Sequence, residues 1–524
     1  MGDLEQVVVH NRLPCHVNKL PMETLTENFL ATLDDDYTVE VGDAATLAMV
    51  IIQVCQCWRD IGVNNFPELW RRVSIGMPLD LWKFVRKDWK NLMCKVLERS
   101  CNRTLRIEFS CGQEGNLRSI GLDVFNMLVA ESHRWSCVEL YCYPVHLASL
   151  QGVLGRIPLL VSIKISVLHE SFGVIPDVVG TFLGTAPLLK RVYFDGFWDS
   201  PIPHLCYHQL TEFVDVRLYV TDDIYRQYLA ILKQVKHIQK FLMRYAECHV
   251  PELAVAEPSI LCLSIHVFTA SHRSLIRSVV LPNLEQVSVP GWVPDWFEEL
   301  VVADAQVVPS LLSTIKRSQC QTTLMVILMK DTILTEDVIR IARLAPALDK
   351  WVFSWQRWSD SYHDPLEQLI KGMAEKTITG IGGTAFTLLP VLTSLHITVD
   401  YLRGDLTPML YFVREPLANA MEAQLGTHFG VVVRSADQEE FQRPLWIFPN
   451  FSPDIQSRLL ACQEAGNPCS IGLSGFELLG NCVYDFYGNF VYDFYSSVAS
   501  KNSAHLENYV RIADDSDEDN DLDG

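Results

Sequence analysis

Two cysteines separated by one glutamine, Cys55 and Cys57, stand in the run VCQCWRDIGVNNFPELWRRV at 54–73, beside Trp58, Trp70 and three arginines. Paired cysteines hold zinc when two to four residues separate them and a second ligand pair follows. Here the spacing is one residue and no second pair follows at short range. On a helix the two thiols would point in widely different directions. Small apolar filling is therefore the role expected of them, and no metal is expected. Arg59, Arg71 and Arg72 are too few to track a phosphate backbone and read as solvated helix ends.

Other catalytic signatures are missing. The sequence holds no G-x-x-x-x-G-K-[ST] phosphate loop, no H-E-x-x-H and no G-x-S-x-G. The glycines of TGIGGTAF at 379–386 lack dinucleotide spacing and read as a loop ahead of a strand. The fifteen histidines are dispersed. We therefore expect no catalytic residue and no cofactor; a catalytic triad, which is defined by geometry, is the one arrangement sequence order leaves open.

The chain of 524 residues is 49% hydrophobic and 20% charged, enough to bury a sizeable core. Its net charge of -20 argues against nucleic acid as the main partner. Part of that charge is concentrated in the terminal DDSDEDNDLDG. Fifteen cysteines scattered through apolar runs suit a reducing compartment, and no leader segment is read at the N-terminus. The longest apolar run, ATLAMVIIQVC, is too short to span a membrane. A soluble intracellular protein is expected, in the cytoplasm or the nucleus.

The elements around the cysteines follow from periodicity. Leu25, Phe29 and Leu33 recur every four residues after Pro21, with Glu23 and Glu27 on the other side, which predicts an amphipathic helix opened by the proline. Asp43 is placed to cap a second helix in which Leu47, Ile51, Val54 and Trp58 share a face, with Gly62 ending it. NNFPELW then forms a turn carrying Leu69 and Trp70.

The string Leu20-Pro21-x-Glu23, followed by Leu25, Phe29, Leu33, VCQCWRDI and ELW, resembles an F-box over residues 19–73. More loosely, VLERSCNRTLRIEF at 96–109 resembles the link between F-box and repeats in a large fungal F-box family. The resemblance implies docking on the Skp-family adaptor of a Skp–cullin–F-box ubiquitin ligase, and hence association with a cullin–RING assembly that carries the chemistry. It assigns Leu20, Pro21, Leu25, Phe29, Leu33, Val54, Leu69 and Trp70 to the adaptor contact, and Leu47, Ile51 and Trp58 to the module's own core. One departure is the acidic stretch DDDYTVEVG, longer than a compact F-box needs. It reads as a loop that either stands clear of the module or interferes with docking.

Beyond 105 an L-x-x-L-x-L pattern recurs with apolar substitutions. It is read at Trp135/Val138/Leu140, Leu160/Ile163/Ile165, Leu189/Val192/Phe194, Ile238/Phe241/Met243, Ile260/Leu263/Ile265, Leu284/Val287/Val289, Leu348/Trp351/Phe353 and Leu392/Leu395/Ile397. First residues 25 apart (135 to 160), 29 (160 to 189), 22 (238 to 260) and 24 (260 to 284) suit leucine-rich repeats. LTEFVDVRLYV near 210 and TTLMVILM near 325 are strands with broken consensus, and helix-like segments such as IYRQYLAILKQV lie between strands. The usual Asn after each strand is absent, so irregular turns are expected.

The fold expected is α/β, an N-terminal helical F-box followed by an irregular leucine-rich-repeat-like solenoid. The divisions are an N-terminal segment 1–18, F-box 19–76, helical linker 77–104, repeat domain 105–410, closing unit 411–500 and disordered acidic tail 501–524. Residues between the consensus positions face the concave side of such a solenoid. Lys164, Lys190, Arg191, Tyr193 and Lys240 are thus the expected substrate surface, a local basic patch for acidic or phosphorylated segments of an unknown protein, or else ordinary solvated side chains. The rival reading is a repeat scaffold whose first helices merely cap the repeats and meet no adaptor.

Overall fold

The computed structural model describes residues 20–33, 37–41, 46–76, 89–111, 115–168, 178–198, 200–248, 259–270, 272–289, 307–329, 335–355, 368–369, 372, 376–378, 384–386, 388–399, 428–433, 469–473 and 476–479. The fold is mixed α/β, rich in parallel β-sheet. It divides into two compact units, Met1–Ala254 and Val255–Gly524.

The first unit begins with α1 (Met22–Thr32), preceded by Pro21 in extended conformation, whose carbonyl accepts the Leu25 N–H at 3.1 Å. Pro21 therefore caps the helix from outside its first turn. Leu25 and Phe29, one turn apart, are buried, and the Phe29 ring meets Trp58 edge-on at 4.9 Å. The long second helix expected from Asp43 to Gly62 is instead interrupted. α2 (Leu47–Val54) follows Thr46, Cys55 turns extended, and α3 (Gln56–Asp60) restarts with the Cys55 sulfur accepting the Trp58 N–H at 3.5 Å. Asp43 itself lies outside the described residues. Gly62 does not stop a helix either. It sits in a π-turn, Ile61–Asn65, where its carbonyl accepts the Trp70 indole N–H at 2.6 Å and a Cβ would come within 2.9 Å of Ile52.

Eight strands of this unit lie in chain order, each parallel to the one before: β1 (Val39–Glu40), β2 (Arg72–Gly76), β3 (Leu105–Ser110), β4 (Trp135–Cys142), β5 (Ser162–Val167), β6 (Arg191–Asp195), β7 (Glu212–Val220) and β8 (Lys240–Cys248). Parallel neighbours require a crossover between them. The crossovers here carry α4 (Trp89–Arg99), α5 (Gly115–Ala130), α6 (Pro144–Ser149), α7 (Val178–Leu183) and α8 (Asp222–Gln234). α8 shows the local logic: Thr221 accepts the Ile224 N–H, Asp222 and Asp223 occupy its first turn, and Ile224, Tyr228, Ile231 and Leu232 bury one face.

The strand pattern places the core. Trp135, Val138 and Leu140, then Leu160, Ile163 and Ile165, then Leu189, Val192 and Phe194, and Ile238, Phe241 and Met243 are all buried. Trp70, Val73 and Ile75 form an earlier triplet of the same spacing, also buried. The pattern thus starts inside 19–76, and β2 pairs with β3, so no break in strand pairing separates the expected F-box from the repeats. The described part of the acidic stretch, residues 37–41, packs on the sheet: Tyr37, Val39 and Val41 are buried and β1 pairs with β2.

In the second unit β10 (Val267–Ala270), β12 (Gln286–Val289), β13 (Leu324–Met329), β14 (Lys350–Trp355), β17 (Ser394–Val399), β18 (His428–Val433) and β19 (Cys469–Leu473) are again parallel in chain order. β20 (Phe476–Leu479) turns back antiparallel on β19. Two small pairs stand apart, β9 (Ile260–Leu261) with β11 (Val279–Val280), and β15 (Lys376–Ile378) with β16 (Thr384–Phe386). TGIGGTAF therefore contains a strand as well as any loop. Among the crossovers are α9 (Arg273–Arg277), α10 (Val307–Ser318) and α11 (Thr335–Leu344). Triplets at 284, 348 and 392 fall on strands as expected. The one at 260 does not, because Leu263 is 59% exposed; the buried set is Ile265, Phe268 and Ala270. Region 411–500 continues the parallel order through β18 and β19 before β20 reverses it; the aromatic run near 484–495 and the tail 501–524 lie outside the described residues.

Where an asparagine ladder was missing, a different one runs. At many strand entries two successive backbone N–H groups share one carbonyl of the preceding strand: Lys190 and Arg191 on Val161, Thr211 and Glu212 on Lys190, Thr323 and Leu324 on Glu285, Thr393 and Ser394 on Asp349. Thr211, Thr323 and Thr393 add their hydroxyls to the same carbonyls at 3.2–3.3 Å.

Candidate functional site

The residues singled out above fall mainly on two surfaces, and a buried cluster joins them as a third feature. The first surface is on the opening helices. Leu20 is 42% exposed, Pro21 is exposed, and Val54 is 57% exposed. Met22, Leu30 and Val50, each almost half exposed, are further exposed apolar residues of the same helices. Met22 and Leu30 lie on a stripe adjoining the buried one, and Val50 and Val54 are one turn apart. Five large exposed apolar side chains thus fall within residues 20–54.

Four of the remaining expected adaptor contacts face inward instead. Leu25, Phe29, Leu69 and Trp70 are buried inside the chain's own core, and Leu33 is half-buried just past the end of α1. Leu69 and Trp70 are fully enclosed because they feed directly into β2. Of the expected module core, Ile51 is buried, while Leu47 and Trp58 are half-buried. The Trp58 indole N–H is enclosed with no acceptor among the described residues.

The second surface is the sheet face opposite the triplets in the first unit. Strand register aligns the side chains between core positions into rows. One row runs Arg72, Arg106, Cys137, Ser162, Arg191, Glu212 and Lys240 across β2–β8. The next runs Ser74, Glu108, Glu139, Lys164, Tyr193, Val214 and Leu242. A third brings Tyr141, Ser166, Asp195 and Arg244 to the same side.

The expected basic patch is not one continuous positive surface. Lys164 is buried: its ammonium lies 4.8 Å from the Tyr141 ring centre and 5.1 Å from that of Tyr193, donates to the Tyr141 hydroxyl, and sits 3.6 Å from Glu139. Lys240 pairs with Glu212 at 2.7 Å. Lys190 and Arg191 are exposed as expected, and Tyr193 is half-buried beside Lys164. Burial above all, then Glu139 and Glu108, raise the Tyr141 phenol; burial and then Asp195 raise that of Tyr193. Both stay neutral. Burial also pushes Asp195 up to about 6, although Lys164 and the Gly196 N–H pull the other way. Gly196 has φ +73°, and a Cβ there would collide with the Val167 carbonyl, so only glycine fits this turn after β6.

The buried cluster was not foreseen. In the third place of the triplet Leu210/Phe213/Asp215 stands a carboxylate, fully buried, flanked in register by Phe194 and Met243. Its Oδ2 accepts from Arg217 Nε and from the Tyr228 hydroxyl, both at 2.7 Å. Arg217 Nη1 also donates to the Ser200 carbonyl. Burial first, then Asp215, raise the Tyr228 phenol, so it remains a donor. The cluster ties the irregular segment at 196–209 to β7 and is structural in kind.

Among the described residues, no group of three His, Cys, Asp or Glu is placed to hold a metal ion. No helix among them is long and apolar enough to cross a membrane. No known family model and no curated protein matches this chain.

Proposed function

We propose that the chain is a non-catalytic adaptor of a Skp–cullin–F-box type ubiquitin ligase, docking a Skp-family protein through its opening helices and a substrate protein through a leucine-rich-repeat-like body. The observation that carries the reading is the concentration of exposed apolar side chains, Leu20, Met22, Leu30, Val50 and Val54, on α1, α2 and the residue leading in. Burial of such side chains in a partner is the ordinary means of holding a complex. The chain-ordered parallel strands, with buried triplets on most of those whose side chains are described, support the repeat reading of the body. Its contribution would be positioning, raising the effective concentration of a substrate near chemistry performed by other subunits.

A second reading is favoured by a specific observation. β1 and β2 arise within 19–76, and Leu69 and Trp70 are core residues there, as a unit that merely caps a repeat array would have. Affinity purification separates the two. Deleting 19–76 would strip two strands from the sheet, so point changes are the better tool. Leu20→Glu with Pro21→Glu should abolish recovery of a Skp-family protein while far-UV circular dichroism stays unchanged. A bait that recovers no Skp-family protein in its native form supports the capping reading instead.

A further inference from the structure

We infer that the row Arg106–Cys137–Ser162–Arg191 on the sheet face of the first unit is a docking groove for an extended acidic protein segment. This inference rests on the reading of that face as the substrate surface. In register, Arg106 on β3 and Arg191 on β6 are separated by the smaller residues Cys137 and Ser162. Neither guanidinium has an ion-pair or hydrogen-bond partner among the described residues. Of the carboxylates nearest the row, Glu139 faces Lys164 at 3.6 Å and Glu212 faces Lys240 at 2.7 Å, while Glu108, two residues along β3 from Arg106, acts on the Tyr141 phenol and makes no ion pair with Arg106. On the unpaired cations, charge complementarity therefore selects an anion. Lys190, exposed and adjoining Arg191, adds to the positive end.

The spacing sets the shape of the ligand. Neighbouring strands lie about 4.8 Å apart, so the three steps from β3 to β6 separate the arginine positions by about 14 Å. An extended chain advances about 3.3 Å per residue, so it spans that distance in about four residues. A segment crossing the strands with anionic side chains at positions i and i+4 would place one on each guanidinium. The low floor at Cys137 and Ser162 leaves room for the intervening residues. Each guanidinium offers a planar fork suited to a carboxylate or a phosphate.

The test uses the full chain and fluorescein-labelled peptides of neutral, proline-containing sequence. One probe carries glutamate at i and i+4, a second carries phosphoserine at both places, and a third carries glutamine. Fluorescence anisotropy should show binding of the first or second probe and none of the third, and the ratio of the first two distinguishes carboxylate from phosphate as the source of charge. Arg106→Glu and Arg191→Glu should each weaken binding about tenfold or more, the scale of one lost charge-assisted hydrogen bond. Both variants should keep the wild-type melting temperature and adaptor binding. Equal affinity for the glutamine probe, no binding of either anionic probe, or indifference to both reversals would overturn the inference. So would a single-stranded oligonucleotide that binds more tightly than the peptides and displaces them. If the probes fail while the adaptor still binds, this groove alone is refuted and the adaptor reading stands.

Discussion

Replacing Arg217 by methionine breaks a charge pair that is fully buried in the first unit's core. The substitution removes the Nε–H donor at 2.7 Å from Asp215 Oδ2 and the donor to the Ser200 carbonyl, leaving Tyr228 to answer a carboxylate with no exposed surface. Breaking a buried pair by deleting one partner costs about 3–5 kcal/mol, because the surviving charge is stranded. For a unit of this size each kcal/mol lowers the melting temperature by about 2–4 °C, so a fall of roughly 10 °C is expected. Urea titration followed by tryptophan fluorescence would measure it as a shift of midpoint at constant slope. The paired change Asp215→Leu with Arg217→Met restores an apolar third position to the triplet, and removing both charges together should recover most of the loss, to within about 1–2 kcal/mol of the native chain. A loss below about 1 kcal/mol for the single variant, or a double variant as weak as the single, would refute the argument that the pair is enclosed and mutually dependent.

Two further outcomes follow from local geometry. Gly62→Ala puts a Cβ 2.9 Å from Ile52 Cγ2 beside the carbonyl that holds the Trp70 indole, and should destabilise by about 1–3 kcal/mol; an unchanged urea midpoint would mean that Ile52 simply moves aside. Burial raises Asp195 from 3.8 to about 6, so the folded state binds the proton more tightly than the unfolded chain. That contribution to stability is fully present below about pH 4 and is lost as the pH rises through about 6. Asp195→Asn, which mimics the neutral acid, should therefore flatten this dependence and be more stable than the native chain at pH 7.5; parallel pH profiles for the two proteins would contradict it.

Much of the strand order was legible because a half-buried strand alternates, and three apolar places per unit are hard to hide in a row of crossovers. The exception at 260 has a definite cause. SILCLSIHVFTA contains two overlapping triplets that share Ile265, and spacing alone does not say which one the sheet takes. Asp215 escaped notice for the converse reason: the pattern asks for an apolar residue there, and the Arg217 and Tyr228 groups that make a carboxylate tolerable come from the same strand and from α8. The threonine ladder could have been read, since Thr211, Thr323 and Thr393 each follow the first place of a triplet. The chemistry of the sheet face was less accessible. Lys164 and Lys240 read as free cations until register set them beside Glu139 and Glu212, while Arg106 gained its significance only by falling in the row of Arg191. Helix periodicity likewise found the buried stripe of Leu25 and Phe29 but assigned it to a partner, because an apolar stripe looks the same whether its own chain or another covers it.

Titration of the purified full chain with a purified Skp-family adaptor in a calorimeter measures adaptor docking itself. A complex is expected that Leu20→Glu, Pro21→Glu and Val54→Asp each weaken by about 2 kcal/mol, roughly thirtyfold. Leu30→Ser should weaken it in the same direction, and every variant should melt as the native protein does. No detectable heat with the native chain, or an affinity that none of these exposed positions alters, would rule out docking through the opening helices.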